Sequence, residues 1–239
     1  MTIKTLETKN EMSRMAADLI IQGLEENGNL LFCAATGNTP TETYQLLKKS
    51  SDHRPGLFSG LRVIKLDEWG GVEKNSPGTC EAYLQDHLVG PLGIEASRYI
   101  SFDSAPPDPT LECNRIRQAI SEEGPIHICL LGLGLNGHLA LNEPADYLES
   151  CVHIAELSDS SLHHSMVREM PVKPIYGLTL GMADILQSVM IILLVSGASK
   201  KAVTSEFLSG RVSTKLPASF LWLHSNVICL LDKQANPFL

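Results

Sequence analysis

The sequence predicts an α/β fold built on a doubly wound, mostly parallel sheet with helices on both faces. Three observations carry this. Short apolar runs alternate with helical patterns along the chain, and the connections between them are brief. The run Ile126 to Leu131 is predominantly apolar, as expected of a strand buried on both faces. No long linker, repeat or low-complexity segment interrupts the alternation, so residues 1–239 read as one domain of Rossmann-like architecture.

The elements follow in order. Thr8 to Glu26 predicts an amphipathic helix, with Thr8 and Glu11 at capping-box spacing and Met12, Met15, Ala16, Leu19, Ile20 and Leu24 at helical intervals. Asn27-Gly28 ends it, and Leu30 to Ala35 reads as a strand. A helix runs from Pro40 to about Lys49, with Thr39 expected as its cap. Arg62 to Leu66 is the next strand, and Asp67-Glu68-Trp69-Gly70-Gly71 reads as the acidic turn after it. Beyond the polar loop Glu73 to Thr79 come a helix carrying Tyr83, Leu84 and Leu88, a strand near Arg98 to Phe102, and a helix near Leu111 to Ser121. After the Ile126 to Leu131 strand, Val152 to Leu157, Tyr176 to Leu180, Val189 to Ser196 and Asn226 to Leu231 read as strands. Ser160 to Glu169, Ala183 to Gln187 and Ala198 to Leu208 read as helices.

A formal charge of −8 argues against nucleic-acid or anionic-membrane partners. It leaves room for a small anionic ligand, which needs only clustered N–H groups and one or two cations. Six scattered cysteines without a C-x-x-C pair, three of them (Cys33, Cys129, Cys229) in strand-like runs, read as buried reduced thiols, hence a cytoplasmic location. The N-terminus shows no signal-peptide pattern, and the apolar stretch Met190 to Val195 is too short to span a bilayer.

The chemistry-bearing residues gather where strands end, the ligand edge of such a sheet. Gly132-x-Gly134-x-x-Gly137 matches the dinucleotide fingerprint as a string, but the context that fingerprint needs is missing, since His138-Leu-Ala-Leu-Asn-Glu143-Pro follows. Thr36-Gly37-Asn38-Thr39 lies between a strand and a helix and suits an anion, without the ending of a P-loop. Asp67 and Glu68 offer a carboxylate at a strand end, where a general base beside a carbon acid is one reading and a solvated turn the other. His138 and Glu143, five apart on a glycine-led turn, allow a histidine oriented by a carboxylate. Lys200, opening a helix after Gly197, could neutralise a phosphate. The adjacent pair His163-His164 reads as structural, and no metal-ligand spacing is present.

Taken together, the Thr36 to Pro40 loop, Leu66-Asp67-Glu68-Trp69, Gly134-x-Asn136-Gly137-His138, Asn142-Glu143-Pro144 and Gly197-x-x-Lys200 resemble the glucosamine-6-phosphate deaminase/isomerase family. Ser76 to Glu81 and Pro217 to Asn226 look most like its galactosamine-6-phosphate branch. The resemblance implies that a hexosamine 6-phosphate is isomerised from aldose to ketose and loses its amine, in amino-sugar catabolism, with no metal or organic cofactor. It implies isomerase and deaminase as reaction classes, with hydrolase as a further class label. It assigns Asp67 as the base between C2 and C1, His138 to ring opening and Glu143 to orienting His138. Gly37 to Thr39, with Thr36 and Lys200, would hold the phosphate. Assembly into a homo-oligomer is compatible with it. Two departures stand out. Asn136 occupies a position where glucosamine deaminases carry Asp, which alters any proton relay there. The family's phosphate-binding arginine, expected near His164 to Met166, has no match in register, although Arg168 is close. Related 6-phosphogluconolactonases and a non-catalytic sugar-phosphate sensor are the rival readings.

Overall fold

The computed structural model describes residues 1–162, 165–168 and 170–239. Its elements begin with β1 (Thr2–Leu6), α1 (Lys9–Glu26), β2 (Leu31–Ala34), α2 (Thr41–His53), α3 (Pro55–Phe58), β3 (Arg62–Lys65), β4 (Asp67–Gly70) and α4 (Cys80–Leu84). There follow β5 (Tyr99–Ile100), α5 (Pro109–Glu123), β6 (Ile128–Gly132), β7 (His153–Ala155), α6 (Asp159–Leu162) and α7 (Ser165–Arg168). The chain closes with β8 (Tyr176–Thr179), α8 (Met182–Leu186), β9 (Met190–Val195), α9 (Lys201–Leu208) and β10 (Val227–Asp232).

One sheet runs in the order β1-β10-β9-β6-β2-β3-β5 with every neighbouring pair parallel. Period-two alternation sorts its side chains into two cores: Leu31 and Cys33 of β2 join one, Phe32 and Ala34 the other. The second core is roofed by α1 and α2 through Met12, Ile20 and Leu47; the first is roofed by α5 and α9 through Ile116 and Phe207. From adjacent strands β2 and β6 the order proceeds to β3 on one side and β9 on the other. Such a parting of connections opens a crevice at the carboxyl ends of the strands.

The doubly wound parallel sheet expected from the sequence is present, with differences. Asp67 to Gly70 is not a turn but strand β4, which pairs antiparallel with β8, and β8 with β7, in a separate small sheet. Leu66 alone separates β3 from β4, so the chain passes from one sheet to the other within a single residue. The Tyr176–Thr179 strand therefore belongs to this small sheet and not to the main one. Strand β1, absent from the sequence reading, pairs with β10 at the sheet edge; its side chains are mostly exposed, so no apolar pattern marks it. Thr39 does not cap α2: Pro40 takes that position in helical conformation and no side chain caps the helix. Thr8 does cap α1, accepting from the Glu11 N–H at 3.2 Å. The pair His163-His164 lies outside the described residues. No helix is long and apolar enough to cross a membrane among the described residues, and all six cysteines are unpaired.

Candidate active site

A cleft of about 400 Å³ opens at the carboxyl ends of β2, β3, β6 and β9. Thr36, Gly37, Asn38 and Thr39 border it after β2, Asp67 after β3, His138 after β6 and Lys200 after β9. Residues more than a hundred positions apart thus meet because parallel strands deliver their ends to one edge. The glycine string after β6 starts no helix; Gly137 turns at φ +87° and Leu139 bridges back to Asn142. A side chain on Gly134 would strike the His138 ring, so the ring lies directly against the backbone there.

The small sheet clamps this turn. Leu141 N–H donates to Thr179 Oγ1 at 3.2 Å, and the Asn142 amide donates to the carbonyls of Leu139 and Leu180, both at 2.9 Å. Between them Ala140 takes φ +53°, a conformation uncommon for a residue with a side chain, held where the turn borders the cleft.

Asp67 is partly enclosed and faces the cleft. Burial, followed by the neighbouring Glu68 carboxylate, raises its pKa to about 6, while Cys80, His138 and Lys65 pull the other way. Glu68 is itself fully buried and points away, accepting from the N–H groups of Trp69, Cys80 and Glu81 at 2.7, 2.9 and 2.8 Å. Lys65 Nζ, also without exposed surface, reaches Glu68 Oε2 at 2.7 Å, Glu81 Oε2 at 2.8 Å and the Phe102 carbonyl at 2.9 Å. Of the adjacent acids, only Asp67 is offered to a ligand.

Glu143 and Asn136 do not border the cleft but stand on the Nδ1 side of His138. Glu143 Oε2 lies 3.4 Å from His138 Nδ1, an ion-pair distance longer than a well-formed hydrogen bond. Asn136 Nδ2 donates to the same oxygen at 2.7 Å, and its Oδ1 accepts from the His138 N–H at 3.2 Å. The other oxygen, Oε1, accepts from Ser158 Oγ at 2.9 Å and from Ser161 Oγ. Burial alone would raise the Glu143 pKa; His138, Ser161 and Asn136 outweigh it and bring it to about 2. Glu143 is therefore a fixed anion behind the imidazole.

On the anion side, the loop is tied by its carbonyls: Gly37 O accepts from Thr41 Oγ1 at 3.1 Å and Asn38 O from Lys9 Nζ at 2.8 Å. Gly37 turns at φ +96°. Lys200 Nζ donates to Leu133 O at 2.5 Å beside the cleft, and burial lowers its pKa. Arg168, set aside on register, also borders the cleft. It ends the single helical turn α7. Ser158 and Ser161 had no signal in the sequence, because they reach Glu143 from a separate segment. Among the described residues no group of three or more His, Cys, Asp or Glu is placed to hold a metal ion.

Over residues 6–229 the chain matches the family described as glucosamine-6-phosphate isomerases/6-phosphogluconolactonase. The chain belongs to this family. AgaI of Escherichia coli (strain K12), a provisionally named deaminase, is 40% identical over 231 residues, covering 97% of this chain and 92% of that protein. Glucosamine-6-phosphate deaminase 1 of Bacillus subtilis (strain 168) is 32% identical, with 98% of each chain covered. Among solved structures, a monomeric glucosamine-6-phosphate deaminase described as a missing link of the NagB superfamily superposes with a TM-score of 0.91 at 30% identity, covering 98% of both chains. The 6-phosphogluconolactonase of Trypanosoma brucei, at 24% identity, 98% and 97% coverage and a TM-score of 0.71, shares the fold. One class label implied by the sequence is corrected here: these relatives are named as deaminases and the family description opens on isomerases, so the expected hydrolase label is withdrawn in favour of isomerase/deaminase.

Proposed function

We propose that residues 1–239 form one catalytic domain of a hexosamine-6-phosphate isomerase/deaminase, with galactosamine 6-phosphate as substrate and tagatose 6-phosphate and ammonia as products. The observation that carries this reading is that one cleft is lined both by an Asp67 carboxylate with a pKa near 6 and by the Thr36 to Thr39 loop, Lys200 and Arg168, groups suited to an anion. The deaminase names of the full-length relatives support the class. The galacto epimer rests on the likeness of Ser76 to Glu81 and Pro217 to Asn226 to that branch.

The residues suit the steps. Gly37 to Thr39 and Thr36, with Lys200 and Arg168, hold the phosphate and so fix the sugar. His138, backed by Glu143, moves the proton at the ring oxygen as the ring opens. Asp67 then removes the proton from C2 and returns it to C1. This leaves a C2 imine, to which water adds and from which ammonia departs. A base with a pKa near 6 is mostly ionised at neutral pH yet returns its proton readily.

The test is ammonia release from galactosamine 6-phosphate and glucosamine 6-phosphate, side by side, with an Asp67→Asn control. Release from the galacto substrate that falls by about 10²-fold or more in the control is the expected result. Release from the gluco epimer alone would overturn the substrate. No release from either, despite binding, would overturn the reaction.

A further inference from the structure

The thiol of Cys80 is buried beside the cleft and has none of the roles above. It stands first in α4, whose N-terminus is fixed from two sides. Thr79 Oγ1 accepts from the Ala82 N–H at 3.1 Å, and Glu68 accepts from the N–H groups of Cys80 and Glu81. Held there, Sγ has two polar neighbours. The Thr36 hydroxyl donates to it at 3.4 Å, and the thiol donates to Asp67 Oδ1 at 3.7 Å. Both neighbours border the cleft, one in the loop after β2 and one at the head of β4.

The protonation state decides what such a thiol does. Burial, then the charges of Glu68 and Asp67, push its pKa well above the ordinary thiol value. A thiol that keeps its proton is no nucleophile. Facing a carboxylate, it acts as a donor, weak but directional. Among the described residues no other hydrogen bond reaches the Asp67 carboxylate. Carboxylate rotation about its last torsion is otherwise broad, and a base that must meet first C2–H and then C1 gains from being held in one orientation. The S–H bond occupies Oδ1 and leaves Oδ2 for the substrate.

We infer that Cys80 is a positioning residue for this reaction, its thiol fixing the Asp67 carboxylate and linking it to Thr36. This rests on the reading of Asp67 as the base. The experiment compares the unaltered enzyme with Cys80→Ala and Cys80→Ser in two ways. The kinetic arm measures kcat, KM and the pH profile on the better hexosamine 6-phosphate. The second arm titrates the Asp67 side-chain carboxyl by carbon-13 NMR in substrate-free protein. Cys80→Ala is expected to lower kcat about ten- to hundredfold, with KM within about twofold. The acid limb and the NMR midpoint should both move to higher pH, because a donor to the ionised form is gone. Cys80→Ser, which keeps a donor, should lie closer to the unaltered enzyme on each measure. A fall in kcat with an unmoved Asp67 midpoint would reduce Cys80 to packing and overturn the assignment, as would an Ala variant with unaltered kcat. If the unaltered enzyme releases no ammonia, the functional reading fails by itself. The midpoints of the three proteins then still decide whether the thiol acts on Asp67.

Discussion

Lys65→Met isolates the buried charge network beneath the base. Lys65 and Glu68 have no exposed surface and Glu81 is 4% exposed, so the substitution removes one cation from between two carboxylates that water hardly reaches. Removing one partner of a buried ion pair costs about 3–5 kcal/mol. The low end applies here, because Glu68 keeps three backbone N–H donors, while Glu81 keeps the Tyr99 and Ser101 hydroxyls and the Gln85 amide. At about 2–4 °C per kcal/mol for a chain of this size, about 3 kcal/mol lowers Tm by about 6–12 °C. The pH dependence has a definite sign. For Glu81, burial opposes ionisation, but Lys65 outweighs it and the folded-state pKa falls to about 2. The stability this contributes is complete above the unfolded pKa of about 4.5 and is lost as pH falls through about 2. The difference in Tm between the two proteins should therefore be largest near pH 7 and shrink below about pH 4.5. Circular-dichroism melts from pH 3.5 to 7.5 measure it. A drop of under about 2 °C at pH 7, or a difference that does not change with pH, would refute the argument.

Asp67→Asn should abolish ammonia release and yet raise Tm above pH 6. Its folded-state pKa is raised, so the folded protein binds more protons than the unfolded chain between about 4 and 6, and ionised Asp67 costs stability above that window; a variant that melts lower than the unaltered protein at pH 7.5 contradicts this. The unaltered enzyme should lose kcat/KM below about pH 6 as Asp67 takes up its proton, and a limb below pH 5 would assign the base elsewhere. Lys200→Met should raise KM for the sugar phosphate about tenfold or more, with a smaller effect on kcat, since in the proposed site the lysine would contact the phosphate, a part of the substrate that does not react; an unchanged KM removes Lys200 from the proposed phosphate site. Gly134→Ala places a Cβ 2.5 Å from His138 Nε2 and displaces the ring, so kcat should fall about 10²-fold while the fold persists; near-normal kcat would show that the ring has room to move.

What could be read from the sequence follows from how local each signal is. Apart from the exposed edge strand β1 and the short α3, the strands of the main sheet and the helices packed on it were legible because period-two and helical patterns reflect burial on fixed faces, as with Met12, Ile20 and Leu24 of α1. Strand β4 was not, since Asp-Glu-Trp-Gly carries turn chemistry and becomes a strand only by pairing with β8, more than a hundred residues later. For the site, strand-end placement brought Thr36 to Thr39, Asp67, His138 and Lys200 into one cleft. The supports were not legible. Ser158 and Ser161 serve Glu143, and Cys80 meets Asp67, only through tertiary approach, and no spacing in the chain encodes those contacts.

Asn136 marks where the site handles protons differently. Its amide donates to Glu143 Oε2 at 2.7 Å. An aspartate in the same place would bring two acceptor-only groups to hydrogen-bond distance, and one of them would have to hold a proton. The amide removes that need by supplying the donor without titrating, so Glu143 remains a full anion with a pKa near 2 beside His138. In the proposed reaction, exchange of protons with a sugar is then left to Asp67 and His138. That arrangement argues against a pocket kept for binding alone. A carboxylate pushed up to about 6 by burial weakens the fold when ionised, and toward a C2–H, a poor hydrogen-bond donor, it returns little binding. The proposed role, taking that proton, would account for its place in the cleft.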